Sequence, residues 1–106
     1  MISNIKSQMR KGILEYCILA IISRNEVYTS DILETLKTAE IVVVEGTVYP
    51  LLTRMKNEGL LSYRWQESTG GPPRKYYSLT DDGRTLLNQL SSEWHSICQA
   101  VNQITQ

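Results

Sequence analysis

The spacing of apolar residues changes twice along this chain of 106 residues, and these changes restrict its fold more than any other feature. Up to about residue 58, apolar residues recur every three or four positions, as on one face of an α-helix. Between residues 61 and 79 they alternate with polar residues, as in a β-strand. The helical spacing returns after residue 80. The pattern predicts several helices, then two strands, then one long helix.

Three helices are predicted before the strands, over about residues 11–24, from residue 29 or 30 to about residue 39, and over about residues 46–58. Thr29 or Ser30 can cap the second helix with its hydroxyl group. The segment 41–44 is rich in β-branched residues, but it is too short to form a strand between two helices, so we expect a loop there.

The third helix carries two terminal signals. Pro50 has no backbone N–H, so we expect it in the first turn, which places the helix start at Gly46 or Thr47. Gly59 follows the last residue of the apolar pattern and suits a left-handed C-terminal cap. The buried side of this helix is expected to contain Val48, Leu51, Leu52 and Met55.

The alternating segment predicts an antiparallel hairpin. Its two runs are separated by Ser-Thr-Gly-Gly-Pro-Pro at residues 68–73, which we expect to form a glycine-proline tip. Tyr63 and Trp65 fall on one strand face, and Tyr77 belongs to the facing run. We expect all three rings to pack against the helices.

The last helix is predicted to begin after a Thr80 cap and to run for about 25 residues, or roughly 37 Å. Its apolar residues follow an a/d heptad pattern: Leu87, Leu90, Trp94, Ile97, Val101 and Ile104. This stripe extends beyond what the rest of one small domain can cover, so we expect it to form a homodimer interface.

The formal net charge is zero, but the charges are unevenly distributed. Residues 46–77 contain five basic and two acidic side chains, a balance of +3. Residues 28–45 carry −3, and residues 78–106 carry −2. A basic region on an otherwise neutral or acidic chain is typical of a nucleic-acid contact surface.

Three helices followed by a basic hairpin predict a winged helix-turn-helix, a mainly α (α+β) fold with a two-stranded wing. We expect residues 1–79 to form the DNA-binding domain and residues 80–106 the dimerisation helix. The third helix can enter the major groove, and the wing can follow the backbone or reach the minor groove. The expected contacts with double-stranded DNA are Thr47, Tyr49, Thr53, Arg54, Lys56, Arg74 and Lys75. Two-fold symmetry of the dimer then predicts an inverted-repeat DNA site with half-sites about 34 Å apart or a multiple of that distance.

Other classes of function are poorly supported. The chain has one histidine, His95, and two cysteines, Cys17 and Cys98, with no glycine-rich phosphate loop and no catalytic constellation. We therefore expect no enzyme, no cofactor and no metal site. Without a long apolar run or a signal-peptide pattern, a soluble cytoplasmic protein is expected. The alternative is a winged-helix module that binds another protein, and retardation of random duplex DNA at low salt separates the two.

The chain resembles the PadR-type regulators with a short C-terminal region. The resemblance rests on Gly-Thr-Val-Tyr-Pro-Leu-Leu at residues 46–52 and on Arg-Lys-Tyr-Tyr-Ser-Leu-Thr at residues 74–80, followed by Gly83. Arg-Met at 54–55, Glu-Gly-Leu-Leu at 58–61 and Gly-Gly at 70–71 also match. The chain departs from the family pattern at two places. Residues 28–31 are Tyr-Thr-Ser-Asp, and Pro-Pro at 72–73 stands where relatives often have one residue fewer. Both leave the fold intact, but the detailed geometry of the wing can differ from that of the relatives.

The resemblance implies a homodimeric repressor of an adjacent promoter, often released by a small hydrophobic ligand. Relatives with a tryptophan at the position of Trp94 bind aromatic drugs there. Because Trp94 is midway along the heptad stripe, a two-fold axis would bring two indoles together. They could form a slot for a planar aromatic effector, or they could simply fill the dimer core.

Overall fold

The computed structural model describes residues 12–41, 43 and 45–106. In this part of the chain the predicted winged helix with a C-terminal helix is confirmed. Its elements are α1 (Leu14–Arg24), α2 (Thr29–Thr38), α3 (Glu45–Asn57), β1 (Leu61–Ser68), β2 (Gly71–Leu79) and α4 (Asp81–Thr105). The expectations for residues 1–11, and for positions 42 and 44 of the predicted loop, lie outside the described residues. Ile41 and Val43 belong to no helix or strand.

The core lies where the first three helices meet the inner end of the hairpin. The buried residues are Ile18, Leu19, Ile22, Ile32, Leu36, Val48, Leu52, Met55, Leu61 and Tyr77. Of the face predicted for α3, Val48, Leu52 and Met55 are buried and Leu51 is half-buried, and the opposite face carries the polar side chains.

The N-terminal end of α2 differs from the prediction. Thr29 is the first helical residue rather than the cap, and the N-cap is Tyr28. The backbone N–H of Tyr28 donates a hydrogen bond to Asp31 Oδ2 at 3.1 Å. A carboxylate in the first turn therefore satisfies a backbone donor that precedes the helix, and no threonine or serine hydroxyl caps this helix.

The two ends of α3 differ in how well they were predicted. The helix begins at Glu45, so Pro50 lies in the second turn and the expected start at residue 46 or 47 is wrong. The missing proline N–H leaves only the Gly46 carbonyl without its helical donor. At the other end Gly59 has φ +80, and Leu60 N donates to Met55 O at 2.9 Å. The predicted left-handed cap is confirmed.

β1 and β2 form the antiparallel hairpin, with Leu61 opposite Leu79 and Tyr63 opposite Tyr77. The turn is tighter than expected, because the strands extend to Ser68 and Gly71 and the two prolines lie in β2 rather than in the tip. Proline cannot donate to a strand ladder, and the pairing is irregular opposite them, between residues 66 and 68.

α4 begins where α3 and the wing end. Thr80 Oγ1 accepts a hydrogen bond from Gly83 N at 3.0 Å, as predicted, and donates one to Gly59 O at 2.6 Å. A Cβ atom on Gly83 would lie 2.1 Å from the Leu60 carbonyl oxygen. Only glycine allows the helix to approach this turn so closely, which explains a residue that otherwise weakens the first turn of a helix.

Candidate nucleic-acid interface

The exposed face of α3 carries the side chains that the sequence assigned to DNA contact. Thr47, Tyr49, Thr53, Arg54 and Lys56 are all exposed, on the side opposite the buried Val48, Leu52 and Met55. A shallow depression follows this face and is lined by Tyr49, Pro50, Thr53, Arg54, Asn57 and Glu58. The helix therefore presents hydroxyl, amide and cationic groups along one continuous surface.

Arg54 is held by two carboxylates. Its Nη2 donates to Glu15 Oε2 of α1 at 3.0 Å, and its Nη1 donates to Glu58 Oε1 at 3.0 Å. The hydrogen bond to Glu15 and then that to Glu58 raise the pKa of the guanidinium above its usual value. In this arrangement the positive charge of Arg54 is compensated within the chain.

Arg74 and Lys75 lie on opposite faces of the wing, although they are adjacent in sequence. Arg74 stands opposite Gln66 in the strand pairing, and Lys75 stands opposite Trp65. Successive side chains of a strand point to opposite sides, so the two cations cannot form one charged tip. Each belongs to a separate set of aromatic rings.

On one face of the wing, Arg74 ends a stack of four side chains. Its guanidinium lies 5.0 Å from the centroid of the Tyr28 ring, and the Tyr28 and Tyr76 centroids are 3.8 Å apart. The Arg64 guanidinium lies 4.9 Å from the Tyr76 ring and donates to Glu26 Oε2 at 2.9 Å. A hydrogen bond with Tyr28, then burial, raises the pKa of Tyr76. The stack joins the wing to the start of α2.

On the other face, two ammonium groups approach the same ring. Lys75 Nζ lies 4.5 Å from the centroid of Tyr63, and Lys56 Nζ of α3 lies 5.7 Å from it. Lys75 Nζ is also 5.3 Å from the Trp65 ring. This face of the wing therefore meets the end of α3 at the Tyr63 ring, and we call Lys56, Tyr63, Trp65 and Lys75 the crevice cluster.

The expectation that Trp65 packs against the helices is wrong, because 59% of this residue is exposed. Tyr77 is buried and Tyr63 is half-buried, as expected. Trp65 is four residues beyond the buried Leu61, or about 13 Å along the strand, whereas a helix with its side chains is only about 10–12 Å wide. The length of the strand, compared with the width of a helix, therefore indicates from sequence that its outer part extends past the core.

Salt bridges neutralise some of the basic side chains of residues 46–77. Between residues 46 and 77, Arg54 and Arg64 form salt bridges with glutamates. Lys56, Arg74 and Lys75 form no salt bridge with any residue that the structure describes. These three cations surround the wing and the adjoining end of α3, so the charge of the interface is concentrated there.

The apolar stripe of α4 divides into two parts. Leu87 and Leu90 are half-buried and pack against the core of the same chain. Trp94, Ile97, Val101 and Ile104 are 39%, 54%, 49% and 81% exposed. The Trp94 ring lies 6.5 Å from the Tyr16 ring of α1, tilted by 47°. The second half of α4 is thus an apolar surface with one aromatic pair at its inner edge.

The described residues were also compared with what a metal site, a reactive thiol or a membrane-spanning helix requires. Across residues 12–41, 43 and 45–106, no three His, Cys, Asp or Glu side chains come together as a metal site would require. Burial raises the pKa of Cys17, which disfavours its thiolate. None of the helices described combines the length and apolarity needed to cross a bilayer.

Comparison with known proteins agrees with this architecture. The model of the PadR-like transcriptional regulator family matches residues 18–89. A PadR-like transcription factor from Bacteroides fragilis is 56% identical, with a TM-score of 0.80 over 96% of this chain and 99% of that one. A PadR-like transcriptional regulator from Bacillus cereus is 42% identical, with a TM-score of 0.83 over 93% and 97% of the two chains.

A third structure is PadR of Bacillus subtilis in complex with operator DNA. It is 26% identical and has a TM-score of 0.69 over 74% of this chain and 46% of that one. Members of the matched family are transcription regulators and not enzymes. Because the family model covers residues 18–89 and one relative is 56% identical over 96% of the chain, this protein belongs to the PadR-like family of transcriptional regulators.

Proposed function

We propose that the protein is a homodimeric DNA-binding repressor that acts on an adjacent promoter and is released by a small hydrophobic ligand. The observation that carries the proposal is the concentration of uncompensated cations, Lys56, Arg74 and Lys75, beside the exposed polar face of α3. The Bacillus subtilis relative was solved with operator DNA, which supports a duplex as the partner.

In this proposal α3 enters the major groove. Tyr49 and Thr53 are exposed one helical turn apart and can reach base edges or phosphates, and Thr47 lies in the first turn, near the free backbone N–H groups. Arg54 contributes only if phosphate replaces Glu15 or Glu58 as its partner. Lys56 and the two wing cations bind the backbone and supply most of the affinity that depends on salt.

The proposed dimer uses the exposed second half of α4. A stripe of four large apolar side chains, each at least 39% exposed, is uncommon on a monomeric protein. Leu87 and Leu90 were also assigned to the dimer interface, and in the proposal they back the stripe from inside each protomer. Residues 1–79 then bind DNA, while residues 80–106 set the spacing of the two α3 helices and so favour an inverted-repeat operator.

The proposed effector site is centred on Trp94. The Tyr16 ring beside it supplies a second aromatic wall from the same chain. A planar aromatic ligand between Trp94 and its copy across the dimer axis would release DNA only if it favoured a dimer whose α3 helices have the wrong spacing, since equal affinity for both states shifts nothing.

The alternative is a winged-helix module that binds a protein partner, with the same cations merely solvated. Fluorescence anisotropy of a labelled random duplex at several salt concentrations separates the two. We expect binding that weakens steeply with salt. The slope should fall by about 0.9 in Arg74→Ala and in Lys75→Ala, because each variant neutralises one phosphate fewer. Glu93→Ala on α4 is the control. Unchanged affinity after alanine replaces Arg54, Lys56, Arg74 and Lys75 together would refute the proposal.

A further inference from the structure

We propose that the crevice cluster, Lys56, Tyr63, Trp65 and Lys75, is a binding site for one sugar-phosphate segment of the DNA backbone. In this site the Trp65 indole packs on the deoxyribose while the two ammonium groups hold the phosphate. The inference rests on the proposed DNA binding and adds Trp65, which the sequence had assigned to the core, as a contact residue.

The position of the two lysines points to a single anion. Their Nζ atoms lie 4.5 and 5.7 Å from the centroid of the same Tyr63 ring, although one belongs to α3 and the other to β2. Both ammonium groups therefore lie around one aromatic ring, and their combined positive potential favours an anion such as phosphate at the cluster. Neither lysine has a carboxylate partner among the residues that the structure describes.

The crevice cluster lies beside α3, where one sugar-phosphate strand of the DNA must pass if α3 enters the major groove. A helix in the major groove is flanked by the two phosphate backbones, and a hairpin beside that helix meets one of them. Lys56 belongs to the exposed face of α3 and also lies beside the Tyr63 ring, so this face adjoins the cluster.

Trp65 is the ring that this surface offers to a ligand. It is 59% exposed, and Lys75 Nζ lies 5.3 Å from its centroid. On the opposite face of the wing, Tyr28 and Tyr76 stack on each other and are covered by arginines, so their faces are already occupied. The exposed indole beside a cation matches a sugar-phosphate unit, which has an apolar ring edge next to an anion.

The Tyr63 ring prepares the site before DNA arrives. A cation over an aromatic face is restrained, and a restrained lysine loses less side-chain freedom when it binds phosphate. Lys75 is half-buried, in keeping with this restraint. The crevice cluster is therefore suited to early, sequence-independent contact, whereas Tyr49 and Thr53 face the groove.

The test uses the full chain with Trp94→Phe, so that Trp65 is its one remaining indole. A labelled random duplex at low salt reports binding by anisotropy, and Trp65 reports contact by its emission and by its protection from acrylamide. We expect both signals to saturate together. Binding by anisotropy without any change in Trp65 would overturn the site while leaving the proposed function intact. Absence of binding would overturn both.

Substitutions then separate the parts of the site. Trp65→Ala should weaken duplex binding by about threefold to tenfold with the salt slope unchanged, because the indole carries no charge. Trp65→Phe should restore part of the affinity. Lys75→Ala and Lys56→Ala should each lower the salt slope by about 0.9. Wild-type affinity in Trp65→Ala, with its thermal unfolding also unchanged, would refute the role of the indole.

Discussion

Arg54 of the exposed α3 face donates from Nη2 to Glu15 Oε2 of α1 at 3.0 Å, across 39 residues of sequence. A second carboxylate, Glu58, holds Nη1 at the same distance. The exposed helix therefore carries its own competitor for any phosphate that approaches Arg54, and both glutamates must be displaced or accommodated when an anion binds.

Removing the Glu15 carboxylate should strengthen DNA binding. In Glu15→Gln the guanidinium loses one of its two anionic partners, so we expect a severalfold gain in affinity for random duplex at low salt and a steeper salt slope. Glu93→Gln on α4 makes the same change in net charge far from the interface and is the control. Anisotropy titrations measure both.

The same experiment identifies the route of the effect. If Glu15 acts through Arg54, then Glu15→Gln should change nothing further in an Arg54→Ala background. If Glu15→Gln raises the affinity for DNA equally with Arg54 present and with Arg54→Ala, then Glu15 acts through the overall electrostatic potential of the protein. The hypothesis that Glu15 competes with phosphate for Arg54 would then be wrong.

Gly83→Ala should destabilise the fold although alanine is the better helix former. The added Cβ would lie 2.1 Å from the Leu60 carbonyl oxygen, which must then move together with the turn that Thr80 holds. We expect a loss of about 2 kcal/mol or more in the free energy of unfolding, against a helix-propensity gain of about 1 kcal/mol. Urea denaturation measures the difference.

Gly46→Ala is the matched control for this prediction. Gly46 also lies in the first turn of a helix, but no atom of the residues that the structure describes lies within 4 Å of its added Cβ. We expect its stability to be unchanged or raised by up to about 1 kcal/mol. Equal effects of the two substitutions would mean that the close approach at Gly83 does not limit α4.

Val101→Lys should dissociate the proposed dimer without unfolding the protomer. Val101 is 49% exposed and belongs to the apolar part of α4, so a buried ammonium would oppose pairing of two copies. Gln99→Lys adds the same charge at an exposed polar position of the same helix and should leave the dimer intact. Sedimentation velocity at micromolar concentration distinguishes them, and a monomeric wild type would contradict the dimer.

Trp94 should respond to planar aromatic compounds. In a Trp65→Phe protein its emission should be quenched saturably, and the compound should lower the affinity for DNA. Trp94→Ala should abolish this binding while the dimer persists. A broad panel of compounds that neither quenches Trp94 nor alters DNA affinity would leave the indole with a packing role beside Tyr16 alone.

Much of the fold follows from local sequence pattern. The repeat of apolar residues predicted which face of α3 is buried, because a helical face is set by residues three and four apart. Gly59 and Thr80 marked helix ends for equally local reasons: one adopts positive φ, and the other presents a hydroxyl to the first turn. The start of α3 was less well predicted, since one residue decided whether Pro50 lies in the first or the second turn.

The sequence alone determined which side chains of α3 face away from the core, but it placed Trp65 of the wing against the helices, where the structure leaves it exposed. Only the tertiary structure decided what surrounds them: Arg54 meets Glu15, Arg74 stacks on Tyr28, and Trp65 stands beside Lys75. The spacing of apolar residues and helix capping depend on residues only a few positions apart. These contacts depend instead on how far a strand extends past a packed helix and on which helices and strands pack together. Gly83 is a further example: glycine weakens a helix by its local propensity, and only the tertiary structure shows the Leu60 carbonyl oxygen that requires it.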